Sequence, residues 1–284
     1  MNHTNTLPDI VGVYGGGRMG AGIAHAFLLA GASVRIVETS SSTADAARER
    51  VRRSVAKAAE RAALAAPTDE VLGRLVLTTD AADLDGCGLV VEAVPEDIGL
   101  KQQVLTTIEG AAPKAWLATN TSSLSVGGLA DGLSRPERLV GLHFFNPVPA
   151  SELVEIVVAA QTAPELVTAA QSWVTALGKT AITVTDSPGF ASSRLGVAIA
   201  LEAMRMLEDG VASAEDIDTA MTLGYKHPTG PLRTTDIVGL DVRLAIAEHL
   251  ARKIGERFEP PAILRAKVAA GHLGRKTGEG FYTW

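Results

Sequence analysis

A single cysteine, Cys87, stands in 284 residues, so no internal disulfide is possible and a reducing compartment is expected. Basic residues are in the minority: 26 Lys and Arg face 32 Asp and Glu, for a net charge of −6. That balance argues against nucleic acid or an anionic membrane surface as the main partner, although a local basic patch could still hold an anionic ligand. No apolar run approaches the ~20 residues needed to cross a bilayer. The lead-in from Met1 to Asp9 is short and polar, neither a secretory apolar core nor an Arg-rich transit peptide. A cytoplasmic protein is expected, with no membrane contact. No internal repeat is present, and no metal site is assigned.

Apolar content of 46% with 20% charged residues is ordinary for a globular chain, and the length suits one large or two smaller cores. From Ile10 to about Asp186, β-rich runs alternate with helical stretches. The runs are Ile10–Tyr14, Ser33–Val37, Leu75–Thr78, Leu89–Val94, Ala115–Thr119, Leu139–His143, Leu153–Val158 and Thr180–Thr185. Helices are expected near 18–30, 43–65, 99–111 and 164–177. Most of the runs are rich in Val, Ile and Leu without polar alternation, as strands covered on both faces should be. The alternation predicts a doubly wound, Rossmann-like α/β sheet. After Asp186-Ser187-Pro188-Gly189 the strands stop, and 190–208, 213–222, 239–256 and 261–270 read as helices. The expected division is a sheet domain over 1–186 and an all-α domain over 187–284.

Gly15-Gly16-Gly17-Arg18-Met19-Gly20 is a G-x-G-x-x-G that follows a strand directly and opens a helix. About twenty residues on, Glu38 closes the second strand. Gly15 permits the tight turn, Gly17 lets backbone approach a pyrophosphate at the helix N-terminus, and Gly20 lets helix and strand pack closely. Glu38 would accept hydrogen bonds from the adenosine ribose and repel a 2′-phosphate. No Arg or Lys follows Glu38 until Arg48, so NAD is favoured over NADP.

Gly141-Leu142-His143-Phe144-Phe145-Asn146-Pro147 leaves a strand through a histidine, two aromatics and an Asn-Pro turn. Alone, the segment would read as a core histidine. Beside a redox cofactor, His143 becomes the candidate base for a hydroxyl proton. Glu155 lies in the next strand among apolar neighbours, where a carboxylate is costly unless paired; pairing with His143 would orient the imidazole, and a rim salt bridge is the alternative. Asn120-Thr121-Ser122-Ser123 leaves another strand end, where Ser122 could donate to a substrate oxygen or simply cap the next helix.

The segments GGGRMGAGIA, VVEAVPED, NTSSL, GLHFFNPVP, LVEIV, DSPGF, EDIDTAM, HPTGP, DIVGLD and GRKTGEGFY cover almost the whole chain in order. Together they resemble the L-3-hydroxyacyl-CoA dehydrogenases of the short-chain 3-hydroxybutyryl-CoA type. The resemblance implies NAD, reversible oxidation of an L-3-hydroxyacyl-CoA to a 3-ketoacyl-CoA, and a homodimer through the helical domain. Carried over by position, Ser122 contacts the substrate oxygen, His143 is the base, Glu155 pairs with it, and Asn146 lies near nicotinamide and substrate. The cofactor set it implies is Gly15, Gly17, Arg18, Met19, Gly20, Glu38, Glu96, Lys101, Asn120, Ser122 and Asn146. One departure is Ser193, before Arg194, where the family often carries a substrate-binding Asn.

In the helix expected over 43–65, Val51, Val55, Ala58 and Ala62 share one face, and Arg53, Lys57 and Arg61 form a stripe on the other. A cationic stripe in an acidic protein is a dock for CoA phosphates; the resemblance points to Ser54 and Arg61. A solvated face paired with Glu49 and Glu60 is the competing account. Two other functions stay open: the same chemistry on a hydroxy acid without CoA, such as a sugar acid or carnitine-like alcohol, and an NAD-binding protein without catalysis.

Overall fold

A computed structural model describes residues 7–284. The chain forms two compact units, the first ending at Asp186 and the second spanning Ser187–Trp284.

The first unit runs β1 (Ile10–Tyr14), α1 (Arg18–Leu29), β2 (Ser33–Val37), α2 (Ser41–Glu60), α3 (Thr68–Gly73), β3 (Leu75–Thr78), β4 (Leu89–Glu92), α4 (Ile98–Ala111), β5 (Trp116–Thr119), α5 (Val126–Ala130), β6 (Leu139–Phe144), β7 (Leu153–Val158), α6 (Pro164–Ala176) and β8 (Thr180–Thr185). Its strands form one sheet in the order β3-β2-β1-β4-β5-β6-β7-β8. This is a Rossmann-like doubly wound sheet, and strand order reverses at β1, opening a crevice at the carboxyl ends of β1 and β4. Val11, Val13, Val34, Ile36, Leu89 and Val91 are fully or almost fully buried, as unbroken apolar runs in a covered sheet require. Helix α1 lies so close that Ile23, Ala24, Phe27 and Leu28 are buried too.

Every strand pair is parallel except β6 and β7, which run antiparallel with His143 opposite Glu155. The link from Phe144 to Leu153 is shorter than the dozen or more residues a parallel crossover takes, so β7 must turn back. The helix expected over 43–65 stops at Glu60. It starts from a capping box between Ser40 and Thr43 and buries Ala44, Ala47, Val51, Val55 and Ala58. Ala62 is not on that face: it is exposed, past the helix end, in the left-handed region at φ 54°. The apolar stripe ends at Ala58, so nothing beyond it rewards another helical turn.

The second unit comprises α7 (Ser192–Glu208), α8 (Ala214–Thr219), α9 (Pro231–Val238), α10 (Leu240–Ile254) and α11 (Ala262–Ala269) around Val197, Leu201, Met204, Leu232, Leu240, Leu250 and Leu264. Helix α9 was not expected. It starts at a proline, and the Asp218 carboxylate accepts from Leu232 N and Arg233 N, both at 2.9 Å, which satisfies two first-turn amides. Asp236, buried on α9, holds the C-terminus by accepting from Phe281 N, Tyr282 N and Trp284 Nε1 at 2.8–2.9 Å.

Candidate active site

At the end of β1, Gly15 adopts φ 95°, and a side chain at Gly20 would collide with the Gly15 carbonyl. Gly17 caps α1 without any side-chain hydrogen bond, and the space where its Cβ would stand is open for 4 Å. First-turn amides therefore face an open position beside backbone alone, the arrangement that receives a phosphate. Glu38, past the end of β2, accepts from Gly16 N at 2.6 Å through Oε1. Its carboxylate thus braces the glycine loop besides placing negative charge at the crevice. Arg50 of α2 donates to the Gly16 carbonyl at 3.3 Å, and Arg18 and Met19 open α1.

A second cluster lies at the ends of β4 and β5. Glu92, the last residue of β4, is fully buried. It accepts from Val94 N and Lys101 Nζ through Oε1 and from Thr119 Oγ1 through Oε2, each at 2.7 Å. Lys101, only 1% exposed, also donates to the Val94 carbonyl at 3.1 Å and lies 3.4 Å from Glu96 Oε2. Its ammonium therefore supports the turn from beneath. Glu96 gathers the Asn-Thr-Ser-Ser turn: its Oε1 accepts from Thr121 Oγ1 at 2.6 Å, Ser122 N at 2.8 Å, Ser123 N at 2.9 Å, Ser123 Oγ at 3.0 Å and Ser122 Oγ at 3.3 Å. Burial pushes the Glu96 carboxyl up, but the Lys101 charge and those donors outweigh it, so its pKa falls below the ordinary value. Removing either charge of the buried Glu92–Lys101 pair would cost about 3–5 kcal/mol by stranding the other. Asn120 Oδ1 accepts from Phe144 N at 2.9 Å and ties this turn to the end of β6.

The antiparallel register places His143 directly across from Glu155. His143 Nδ1 and Glu155 Oε2 are 2.7 Å apart, with Glu155 fully buried. An acceptor at that distance fixes the Nδ1–H tautomer and the ring orientation, and a buried carboxylate stabilises an imidazolium. The Phe145 ring leans on the imidazole, centroids 4.5 Å apart. Both strands deliver their residue to the edge of the sheet that also carries the glycine loop and Ser122.

A cleft of about 830 Å³ opens between α1, α2 and the segment from Asn146 to Ala150. Arg18, Arg50, Arg53, Ser54, Lys57, Arg61 and Asn146 all line it. Arg53 is 3.3 Å from Glu49, an exposed pair of small energetic weight. Among the described residues Lys57 and Arg61 have no ion-pair partner, so the solvated-face account holds for one member of the stripe only. His25 lines the same cleft from α1; it is buried, its Nδ1 has no hydrogen-bond partner, and burial, then the Lys179 charge, lower its pKa to about 4.

Residues 10–187 match the family described as 3-hydroxyacyl-CoA dehydrogenase, NAD binding domain, and residues 189–284 match its C-terminal domain. The chain belongs to the 3-hydroxyacyl-CoA dehydrogenase family. A 3-hydroxybutyryl-CoA dehydrogenase of Mycobacterium tuberculosis is 39% identical over 279 residues, covering 96% of this chain and 98% of its own. The mitochondrial hydroxyacyl-coenzyme A dehydrogenase of Sus scrofa is 37% identical over 284 residues, covering 96% and 90%. The crystal structure of (S)-3-hydroxybutyryl-CoA dehydrogenase PaaH1 from Ralstonia eutropha superposes with a TM-score of 0.94 at 38% identity, covering 98% and 99%.

As a member of this family the chain is an NAD-dependent oxidoreductase, and its own residues fit that cofactor. The uncapped α1 N-terminus, the open position at Gly17 and the carboxylate of Glu38 are what a dinucleotide without a 2′-phosphate needs. Sequence reasoning missed Glu92, Arg50 and His25. Glu92 carried the same signal as Glu155, a carboxylate inside an apolar strand. His25 gave none, because a histidine in the buried stripe of α1 reads as core. Ser193 lies in the first turn of α7, in the second unit.

Proposed function

We propose that this chain interconverts an L-3-hydroxyacyl-CoA and the corresponding 3-ketoacyl-CoA, with His143 as general base. The observation that carries the reading is the buried His143–Glu155 pair, 2.7 Å apart, on the same sheet edge as Ser122 and the glycine loop. Gly15, Gly17, Arg18, Met19, Gly20 and Glu38 hold the dinucleotide, with Asn120, Ser122 and Asn146 toward its nicotinamide end. Bound NAD supplies the acceptor for the hydride that leaves C3. As that bond breaks, His143 Nε2 takes the hydroxyl proton, the C3–O bond becomes a carbonyl, and Nδ1–H donates to Glu155 throughout. Ser122, held at its backbone N by Glu96, swings its single hydroxyl proton from Glu96 Oε1, 3.3 Å away, to the reacting oxygen. Lys101 and Glu96 keep that serine in place. Ser193 replaces the family's Asn as a substrate contact, reaching it through a water.

The CoA phosphates dock on Lys57, Arg61 and their neighbours, with Ser54 beside them. The exposed apolar residues Leu195, Ile199, Ile237, Val238 and Val242 of the helical unit support a homodimer through that unit, and the protein works in the cytoplasm.

Loss of NADH absorbance is followed with acetoacetyl-CoA and, separately, with free acetoacetate. Turnover of the thioester alone is expected, with KM raised about tenfold or more when Lys57 and Arg61 become Glu. Equal turnover of the thioester and the free acid would favour a substrate without CoA. No turnover in protein that still binds NADH would leave only the non-catalytic reading.

A further inference from the structure

His25 lies on α1, the helix that the glycine loop opens, and only 3% of it is exposed. Its Nδ1 is buried without a partner, and the ring makes no hydrogen bond among the described residues. The same ring lines the cleft between α1, α2 and the segment from Asn146 to Ala150, all within the first unit. Burial, and then the charge of Lys179, lower its pKa to about 4, so the ring is uncharged near neutrality. That lysine is fixed in place, with Nζ donating to the Val148 and Ser151 carbonyls at 2.8 and 2.5 Å.

A neutral imidazole carries one N–H. On Nδ1 it would be a buried donor with nothing to meet, a rarer and costlier orphan than an unpaired acceptor, so the proton sits on Nε2. With Nδ1 sealed off, Nε2–H is the donor left to meet whatever fills the cleft. Its surroundings there are apolar. Ala21, Gly22 and Leu29 lie three or four residues from His25 on the same face of α1, and Val148 and Pro149 line the cleft with them. A Cβ at Gly22 would come within 2.9 Å of Val148 Cβ, so the glycine sets how closely α1 approaches that segment. A phosphate gains little from one neutral donor, and the cationic side chains of α2 already offer it charge. What suits a lone neutral donor between apolar walls is an uncharged acceptor on a slender chain.

We propose that His25 donates from Nε2 to an amide carbonyl of the pantetheine arm, so that the site selects its thioesters by the arm as well as by the phosphates. This rests on the proposed function, in which the CoA phosphates dock on Lys57 and Arg61. An arm that joins those phosphates to a reacting group near Asn146 runs along this wall, because the α2 stripe, His25 and Asn146 line one cleft. The contact lies away from the reacting carbon and is made equally in the ground and transition states. It therefore lowers KM rather than raising kcat.

The test compares S-acetoacetylpantetheine, which has the arm but no nucleotide, with S-ethyl acetothioacetate, which has neither, as NADH-dependent substrates of the full-length protein. The ratio of their kcat/KM values should fall about 3- to 10-fold in His25→Leu, the range for one neutral hydrogen bond, and chiefly through KM for the pantetheine thioester. General damage to the fold would lower both substrates together and leave the ratio where it stood. His25→Gln, which keeps an N–H donor, should retain most of the ratio. Should His25→Leu not fold, histidine labelled at its ring nitrogens reads the same contact by NMR in the unmodified protein. The His25 Nε2 signal, identified by its loss in His25→Gln, should shift when pantetheine is added to the NAD-bound protein. An unchanged ratio in His25→Leu, a Gln variant that loses as much as the Leu variant, or a signal that pantetheine does not move overturns the assignment while leaving the dehydrogenase reading intact. If neither these thioesters nor acetoacetyl-CoA is reduced by protein that binds NADH, the dehydrogenase reading itself fails and this inference falls with it.

Discussion

Glu155→Gln tests how the buried pair works, because it removes a charge and keeps the shape. Gln can still accept from His143 Nδ1–H at the position where Glu155 Oε2 now stands, 2.7 Å away, so the ring keeps a partner. What is lost is the carboxylate that faces the imidazolium formed as the hydroxyl proton arrives. Two full charges about 4 Å apart interact by about 4 kcal/mol at an effective dielectric of 20. Replacing a charged by a neutral hydrogen-bond partner costs about 1–2 kcal/mol. These bounds predict a kcat lower by about 5- to 10³-fold, at 1.4 kcal/mol per tenfold. KM for acetoacetyl-CoA and the Kd for NADH, read by its fluorescence, should move little, because the pair touches neither the cationic cleft nor the glycine loop. Glu155 acts through His143, so the substitution should cost less than about threefold on a His143→Gln background, where the base is already gone. A full-sized loss on that background, or less than about a fivefold loss on its own, would refute the positioning role.

Glu38→Gln keeps a hydrogen-bond acceptor for Gly16 N but removes the charge at the ribose position. The preference for NADH over NADPH, as a ratio of kcat/KM values, should fall about tenfold or more, the cost of one repelled phosphate at a partly exposed site; an unchanged ratio would sink the ribose role. His25 predicts a pH effect on stability. Its folded pKa of about 4 lies below the ordinary 6.5, so the unfolded chain binds the proton more readily and stability falls as pH drops from about 6.5 toward 4. Its full weight is at most about 3 kcal/mol, two and a half units at 1.36 each. Urea unfolding of wild type and His25→Gln between about pH 7 and pH 4.5 should show the variant losing less with acid, and parallel curves would count against a buried neutral imidazole.

Much of the site was legible because its chemistry is short-range in sequence. The glycine loop, Glu38 and the strand ends came from spacing alone, since a βαβ unit keeps its phosphate loop and its ribose acid within one crossover. His143 and Glu155 were readable as a polar pair inside two apolar runs. Their opposition in register was not, because strand direction depends on the length of a link rather than on either strand. Helix α2 was overextended to residue 65 because alanines at 62, 63 and 65 favour a helix locally, while the structure ends it where the buried face ends. Helix α9 escaped because it is held by Asp218 and by its own buried Asp236, contacts from residues distant in sequence. Long-range polar satisfaction leaves no periodicity to read.

The same physics separates the buried charged residues of the sheet unit. Glu92 and Lys101 satisfy each other and are satisfied further by Val94 and Thr119, so their charges are spent on holding a turn. Glu155 has an imidazole at hydrogen-bond distance, and its charge gains in value when that ring accepts a proton, which under the proposed function couples it to a reaction step. Satisfied pairs thus report architecture, and a pair whose worth changes with protonation is the one to test for catalysis.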